Sequence, residues 1–207
     1  MKKIAIIDFK VGNIFSVVQA CKKIGLDVEI TSDYDVIMNS DGVILPGVGA
    51  FGDAMKNLKD QNLVETIRDF IDSGKPFMGI CLGLQLLFSS SEEFGRNEGL
   101  NIIEGSVERF DESYEKVPQI GWNKISKKNA SLGESPLDSI EDNEYMYFVH
   151  SYFVKPVDES IILTMTDYSG QQYCSSIQLG NIFATQFHPE KSGHKGLEIY
   201  KNWSNQL

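Results

Sequence analysis

The sequence is poor in basic residues, and this shortage excludes one class of protein. Its 207 residues contain 19 lysines and arginines against 29 aspartates and glutamates, a formal net charge of −10. Proteins that follow the phosphates of a nucleic acid need clustered lysine and arginine, so a nucleic-acid partner is not expected. The balance leaves room for a small anionic ligand or for a basic partner at one face.

Cysteines are also few, and long apolar runs are missing. Cys21, Cys81 and Cys174 are far apart and odd in number. They form neither a disulfide framework nor a Cys-x-x-Cys pattern, so we expect reduced thiols, no metal site and no cofactor. No run approaches the roughly 18 apolar residues of a membrane helix, and Asp8 interrupts the N-terminal apolar run before it reaches signal-peptide length. We therefore expect a cytoplasmic protein that does not enter a membrane.

The first half of the chain alternates between short apolar runs and segments with helical spacing. Strands are predicted at "KIAIID", "DVEIT", "GVILPG" and "FMGI". Helices are predicted at "NIFSVVQACKKIGL" and, as one long helix, from Met55 to Ile71. This alternation is typical of a parallel sheet with right-handed crossovers.

From Ser106 onward the apolar runs become short and rich in aromatic residues. Gly, Asn and Asp separate them, which predicts antiparallel or mixed strands added to the parallel core. The last segment, "HKGLEIYKNWSNQ", is predicted to be a helix. No linker is long enough to divide the chain, so we expect one domain over residues 1–207. Its fold class would be α/β, with a central, mostly parallel sheet flanked by helices.

The stretch "GICLGLQLL" places one cysteine between glycines. Free cysteine is most often a core residue, and for Cys21 and Cys174 that interpretation stands. Around Cys81, small residues two positions before and two after, Gly79 and Gly83, favour a tight strand-to-helix turn that presents a nucleophile. The N-terminus of the following helix would favour a thiolate.

A thiolate nucleophile needs a base, and the base needs a group that orients it. His188 follows the predicted strand "IFATQF" and precedes Pro189 and Glu190. Proline ends the strand, and Glu190 is near enough in sequence to fix the tautomer of the imidazole and support its protonated form. Alone, His188 could equally be a surface residue. Together with the turn at Cys81, a catalytic triad of Cys81, His188 and Glu190 is favoured.

The stretch "LPGVGAFGDAM" (Leu45 to Met55) is a second glycine-containing turn. Its free backbone N–H groups could stabilise an oxyanion, although an ordinary turn between strand and helix is the alternative. The turn and Cys81 both follow predicted strands, and open α/β sheets bind ligands at the carboxyl ends of their strands. We therefore expect the two features at one site.

Five segments resemble the class I, triad-type glutamine amidotransferases: "PGVGAFGDAM", "GKPFMGICLGLQLLFSSSEE", "VPQIGWN", "YFVHSYFV" and "TQFHPEKSG". Within that family they are most similar to the glutaminase subunits of imidazole glycerol phosphate synthases. The resemblance covers nearly the whole chain and implies a flavodoxin-like fold. It further implies hydrolysis of L-glutamine to L-glutamate and ammonia through a thioester on Cys81, with His188 moving protons and Glu190 orienting His188.

The resemblance also implies roles for residues around the triad. Backbone N–H groups of Leu82 and of the Val48–Gly49 turn would form the oxyanion hole, and that turn can require a flip coupled to the ligand state of the partner. The residues implied in glutamine binding are Gln85, Glu93, His150, Ser151 and Tyr152. The residues implied in docking the partner are Trp122, Tyr147 and Lys191.

The implied partner is a separate (β/α)₈ barrel synthase subunit, which forms a heterodimer in histidine biosynthesis. Ammonia would reach it through a channel, because ammonia in neutral water is mostly protonated and non-nucleophilic, and would yield imidazole glycerol phosphate and a carboxamide nucleotide. One alternative is a glutaminase that serves a sugar-modifying amidotransferase of surface-polysaccharide biosynthesis. Others are a stand-alone cysteine peptidase or γ-glutamyl hydrolase, and a non-catalytic binding protein, which the complete triad opposes.

Two residues depart from the pattern of the family. Lys10, in "DFKVGN", stands where a glycine is expected, so it needs either ordinary backbone angles or tolerated strain. Gln119, in "PQIGWN", replaces a histidine. Neither change touches the triad, and both lie where specificity for the partner or the pathway could differ.

Overall fold

The computed structural model describes residues 2–113, 115–128 and 135–207. Within these ranges the strands are β1 Lys3–Ile7, β2 Asp27–Thr31, β3 Gly42–Gly47, β4 Phe77–Cys81, β5 Phe88–Ser91, β6 Asn97–Glu98, β7 Ile103–Arg109, β8 Gln119–Lys127, β9 Glu144–His150, β10 Tyr152–Pro156, β11 Ile162–Tyr168, β12 Gln171–Leu179 and β13 Ile182–Thr185. The helices are α1 Ile14–Lys23, α2 Tyr34–Met38, α3 Phe51–Asp60, α4 Leu63–Asp72, α5 Leu82–Leu86 and α6 Gly193–Ser204. Short 3₁₀ turns occupy Glu159–Ile161 and Pro189–Lys191.

The strands form one mixed sheet with a parallel centre. Its main path runs β2-β1-β3-β4-β13-β12-β10-β7-β5-β6. The first five strands of this path pair in parallel, and β12 and β10 continue it antiparallel. A branch adds β11 beside β12, then β8 and β9, all antiparallel. The predicted α/β class, with antiparallel strands added in the second half, is confirmed.

Helices cover both faces of the parallel centre. Every residue of β3 and β4 is buried, as expected for strands that pack against helices on two sides. Buried side chains of α3 and α4 join one apolar cluster, and those of α1 and α6 join the other. Among the residues described, no helix has the length and apolar character needed to cross a membrane.

The prediction of one long helix from Met55 to Ile71 is wrong. The segment forms two helices, α3 and α4, which are separated at Asn62, where φ is +56°. Asparagine enters this left-handed conformation more easily than most residues, and a helix cannot continue through it. The break redirects the chain so that Leu58 at the end of α3 and Leu63 at the start of α4 are both fully buried.

Two other elements differ from the sequence-based expectation. Helix α2 was not predicted, because five residues are too few to display a helical period; the side chain of Asp33 caps it by accepting the Val36 N–H at 3.0 Å. The run "EYMYFVHSYFV" forms two strands, β9 and β10, on either side of Ser151.

Lys10 has a φ of +66°, so the chain tolerates a strained backbone where the family has glycine.

Candidate active site

Three neighbouring strands carry the candidate residues to one edge of the sheet. In the parallel register, Gly47 of β3 lies opposite Cys81 of β4, and Ile80 lies opposite Thr185 of β13. The segments that follow these strands therefore start side by side, as expected at the carboxyl edge of a parallel sheet. They contain the Val48–Gly49 turn, the turn at Cys81 and the "FHPE" segment.

The backbone at Cys81 is strained. Its φ of +54° and ψ of −107° lie in a region that residues with a side chain rarely adopt. The neighbouring glycines allow the turn, since a Cβ on Gly83 would lie 1.8 Å from the carbonyl oxygen of Leu45, and one on Gly79 would crowd the Cβ of Ala184 at 3.1 Å. The chain is thus bent at Cys81 in the way that the glycine spacing predicted.

The thiol of Cys81 is held between a side chain and a backbone carbonyl. The Nε2 amide of Gln186 donates to Sγ at 3.6 Å, and Sγ lies 3.9 Å from the carbonyl oxygen of Val149. Only 6% of Cys81 is exposed. Sequence reasoning missed Gln186, and the signal was its place two residues before His188 in "TQFHPE".

His188 and Glu190 form a buried pair. Nδ1 of His188 lies 2.7 Å from Oε1 of Glu190, and the two side chains are only 2% and 1% exposed. Nε2 of His188 has no hydrogen-bond partner within the part of the chain that is described. Burial lowers the pKa of His188, but the adjacent Cys81 sulfur and the Glu190 carboxylate outweigh burial and raise this pKa to about 10. The imidazole is therefore charged near neutral pH.

The loop that carries His188 is fixed by strand β9. The backbone N–H of His188 donates to the carbonyl of Tyr147 at 2.9 Å. Ser192 closes the loop, since its hydroxyl donates to the His188 carbonyl at 2.7 Å and accepts the Tyr147 N–H at 3.0 Å. One residue of β9 thus holds both ends of the His188–Ser192 segment.

A cavity of about 280 Å³ lies beside the sulfur of Cys81. It brings together residues that the sequence assigned to the nucleophile, the oxyanion hole and substrate binding. They are Val48, Gly49, Cys81, Leu82, Gln85, Glu93, His150, Ser151 and Tyr152, and the other lining residues are Pro118 and Val149. His188 and Glu190 do not line the cavity.

Gln85 and Glu93 are fixed before any ligand enters. The Gln85 amide nitrogen donates to the Tyr152 carbonyl at 2.9 Å and to Oε1 of Gln186 at 3.1 Å. Both of its amide protons are thereby used, and its oxygen remains as the group that can accept from a ligand. Oε2 of Glu93 accepts the N–H of Phe51 at 2.6 Å, which ties this carboxylate to the start of α3.

The ring of His150 is neutral. Burial is the main cause that lowers its pKa, to about 3. Its Nδ1 lies 2.8 Å from the carbonyl of Tyr152, so the proton of the neutral ring is on Nδ1. His150 therefore differs in charge state from His188, although both lie near Cys81.

The three predicted docking residues form a single cluster. Trp122 and Tyr147 are cross-strand partners of β8 and β9, and their rings meet edge to face at 6.1 Å. Nζ of Lys191 lies 5.6 Å from the centre of the Tyr147 ring. Trp122 is 55% exposed, an unusual position for tryptophan that is typical of a contact surface.

The other two cysteines are buried. Burial, and for Cys21 also the charge of Glu190, raises the pKa of Cys21 and of Cys174 to about 12. Across residues 2–113, 115–128 and 135–207, no group of three or more His, Cys, Asp or Glu side chains is placed to hold a metal ion.

A family model described as "Glutamine amidotransferase class-I" matches residues 5–206. Among curated proteins, the chain is 48% identical over 203 residues to "Imidazole glycerol phosphate synthase subunit HisH" of Aquifex aeolicus (strain VF5), covering 97% of this chain and 95% of the relative. The protein of the same name from Rhodopirellula baltica is 45% identical over 202 residues, covering 97% and 96%. That of Bacillus cereus (strain G9842) is 47% identical over 201 residues, covering 97% and 93%.

Solved structures with low sequence identity share the fold. "Structure of PurLQS from Thermotoga maritima" superposes with a TM-score of 0.76 at 16% identity, covering 99% of this chain and 98% of that one. The structure described as "Trypanosoma brucei CTPS - glutaminase domain with bound acivicin" gives a TM-score of 0.67 at 16% identity, covering 100% and 95%. At this level of identity the likeness shows the architecture alone.

Proposed function

The chain belongs to the class I glutamine amidotransferase family, and from that premise we propose that it is the glutaminase subunit of an imidazole glycerol phosphate synthase. In histidine biosynthesis it hydrolyses L-glutamine to L-glutamate and ammonia. The observation that carries the proposal is the strained turn at Cys81 beside the buried pair of His188 and Glu190. Relatives that bear this name, at 44–48% identity over nearly the full chain, support the choice of pathway.

The first step forms a thioester. The thiolate of Cys81 attacks the side-chain amide carbon of glutamine, and the C–N bond then breaks. The charged imidazole of His188 gives its proton to the departing nitrogen, which leaves as ammonia, and the γ-glutamyl group remains on sulfur. Glu190 stabilises the charged imidazole and fixes its orientation through the 2.7 Å contact to Nδ1.

The second step releases glutamate. Water attacks the thioester carbon and loses a proton to the neutral His188, the C–S bond breaks, and the thiolate of Cys81 is restored with the imidazole charged again. In both steps negative charge develops on the carbonyl oxygen. The backbone N–H groups of Leu82 and of the Val48–Gly49 turn would receive it, since both segments line the cavity beside the sulfur.

The cavity suits an amino acid with a carboxamide side chain. We assign glutamine binding to Gln85, Glu93 and the His150–Tyr152 segment. The carboxylate of Glu93 supplies the negative charge that an α-ammonium group needs, and the free oxygen of Gln85 can accept from the same group.

We further propose that the ammonia passes to a (β/α)₈ barrel subunit in a heterodimer. Trp122, Tyr147 and Lys191 would contact that subunit, because an exposed tryptophan, a half-buried tyrosine and a cation form one cluster there. The backbone bonds of Tyr147 to the His188–Ser192 loop would connect the contact surface to the triad.

A comparison of the isolated chain with its complex tests the proposal. Glutamine hydrolysis is measured for the chain alone, with the barrel subunit encoded by the same genome, and with that subunit plus its nucleotide ligand. We expect weak hydrolysis by the chain alone and an increase by orders of magnitude in the ligand-bound complex. Full activity without any partner would instead support a stand-alone hydrolase.

A further inference from the structure

At the wall of the cavity, His150 belongs to a buried hydrogen-bonded group whose other side chains, Gln119 and Tyr173, the proposed mechanism does not use. Gln119 of β8 and His150 of β9 are direct cross-strand partners, so their side chains leave the sheet on the same face. The hydroxyl of Tyr173, from β12, reaches both. It lies 2.9 Å from Oε1 of Gln119 and 3.3 Å from Nε2 of His150.

His150 has few polar neighbours. Its ring is surrounded by the aromatic rings of Phe110, Phe148 and Tyr173, with centroids 5.2, 5.7 and 5.2 Å away. Nδ1 donates to the Tyr152 carbonyl at 2.8 Å, and the contact of Nε2 is the Tyr173 hydroxyl. The position of this ring is therefore set at one end by Tyr152 and at the other by Tyr173.

The Tyr152 carbonyl is where this group meets the cavity. The same oxygen accepts from Gln85 at 2.9 Å, and Gln85 in turn donates to Gln186, whose amide contacts the sulfur of Cys81 at 3.6 Å. A continuous series of short contacts thus leads from Gln119 to the nucleophile. All of its side chains except that of Tyr152, which contributes only its backbone, are buried.

Gln119 accepts a hydrogen bond from the hydroxyl of Tyr173. Burial raises the pKa of Tyr173 well above its usual value, so the hydroxyl keeps its single proton. The hydroxyl lies nearer to Gln119 than to His150 and donates that proton to Gln119. Without the Gln119 carboxamide the Tyr173 hydroxyl loses the acceptor that fixes it 3.3 Å from Nε2 of His150, so the ring is held less firmly at that end.

We propose that Gln119 and Tyr173 are positioning residues of the glutamine pocket, which hold His150 and through it the Tyr152 carbonyl that anchors Gln85. This inference rests on the proposed function. It gives a role to Gln119, one of the two positions at which the sequence departs from the pattern of its family. Gln119 and the exposed Trp122 are both on β8. The same strand therefore contributes to the proposed docking surface and to the affinity for glutamine.

The test is a set of steady-state measurements of glutamine hydrolysis on the complex with the barrel subunit. For Gln119→Leu and for Tyr173→Phe we expect the KM for glutamine to rise about fivefold, the loss typical of one buried hydrogen bond, with kcat within twofold of wild type. The double variant is expected to be no worse than Tyr173→Phe alone, because both changes break the same contact. Gln119→His, which restores an acceptor, should return KM to within twofold of wild type.

A control separates positioning from stability. Gln172→Leu changes an exposed glutamine beside Tyr173 on β12 and should leave KM unaltered. Thermal unfolding of each variant shows whether it folds, and Tyr173→Phe, which keeps the ring, provides the result if Gln119→Leu does not fold. An unchanged KM in Tyr173→Phe, or a KM in Gln119→His as high as in Gln119→Leu, would overturn the inference. If wild type fails to hydrolyse glutamine even in the complex, the proposed function itself fails.

Discussion

The Nδ1 atom of His188 lies 2.7 Å from a carboxylate oxygen of Glu190, and both side chains are almost completely buried. A buried carboxylate in this position stabilises a charged imidazole far more than an exposed one would, because water does not screen it. The pair is therefore built to hold a proton opposite the sulfur of Cys81, which is the state that the first step of the proposed reaction requires.

Replacing the carboxylate by an amide tests this pair. Glu190→Gln keeps the size of the side chain but removes the charge that supports the imidazolium of His188, so we expect kcat to fall by about 10²–10⁴-fold. The matched control is Glu198→Gln, which removes a partly exposed carboxylate paired with Lys195 on α6 and should retain wild-type kcat. Equal activity in the two variants would contradict the role of Glu190.

The two buried histidines predict opposite effects of pH on stability. The folded pKa of His188, about 10, is above the unfolded value of 6.5, so its contribution is complete below pH 6.5 and is lost as pH rises toward 10. The folded pKa of His150, about 3, is below 6.5, so its contribution is complete above pH 6.5 and is lost as pH falls toward 3.

Nuclear magnetic resonance of the imidazole groups checks both signs. Between pH 5 and 8 we expect the His150 ring to stay neutral and the His188 ring to stay charged. Urea unfolding should show that the contribution of His188 to stability is lost as pH rises above 6.5, and that the contribution of His150 is lost as pH falls below 6.5. Cys81→Ala should lower the pKa of His188, because the sulfur is a main cause of its rise. A His188 signal that titrates with a midpoint near 6.5 in the wild-type chain would be inconsistent with this account.

Much of this site could be predicted from the sequence, because several of its residues lie close to one another along the chain. The glycines around Cys81 and the two-residue spacing of His188 and Glu190 are short patterns, and the strand alternation predicts that both reach the same edge. The missed features depend on contacts between distant segments. The left-handed preference of asparagine is only a weak local signal for the break at Asn62 between α3 and α4, and Gln186 and Tyr173 gain their roles only when β13 and β12 bring them to Cys81 and His150.

Selective labelling tests the identity of the nucleophile. A glutamine-like electrophile should add one label, at Cys81, because this cysteine lines the cavity. Cys21 and Cys174 should remain unlabelled, since burial raises the pKa of each thiol to about 12. Mass spectrometry of peptides locates the label, and the Cys21→Ala and Cys174→Ala chains should react as wild type does. A label on Cys21 in place of Cys81 would refute the assignment.

The turn at Cys81 should tolerate no side chain at Gly83. In Gly83→Ala the new Cβ would overlap the Leu45 carbonyl at 1.8 Å, so the chain must shift or unfold, and we expect a loss of about 2–3 kcal/mol in unfolding free energy together with loss of activity. Gly180→Ala is the control. That position has a positive φ, unlike Gly83, but open space around it, so the expected cost is only about 1 kcal/mol, and activity should persist. Urea unfolding and hydrolysis assays on both variants distinguish the two cases.

The most direct test of the central claim follows the nitrogen released at Cys81. The complex with the barrel subunit is given glutamine labelled with ¹⁵N at the side-chain amide, the nucleotide substrate, and an excess of unlabelled ammonium, and the imidazole product is analysed by mass spectrometry. We expect nearly all of the product to carry ¹⁵N, and Cys81→Ala to abolish this incorporation while leaving synthesis from ammonium intact. Product whose label is diluted to the isotopic composition of the bulk ammonium, or labelled product from the Cys81→Ala chain, would contradict the account.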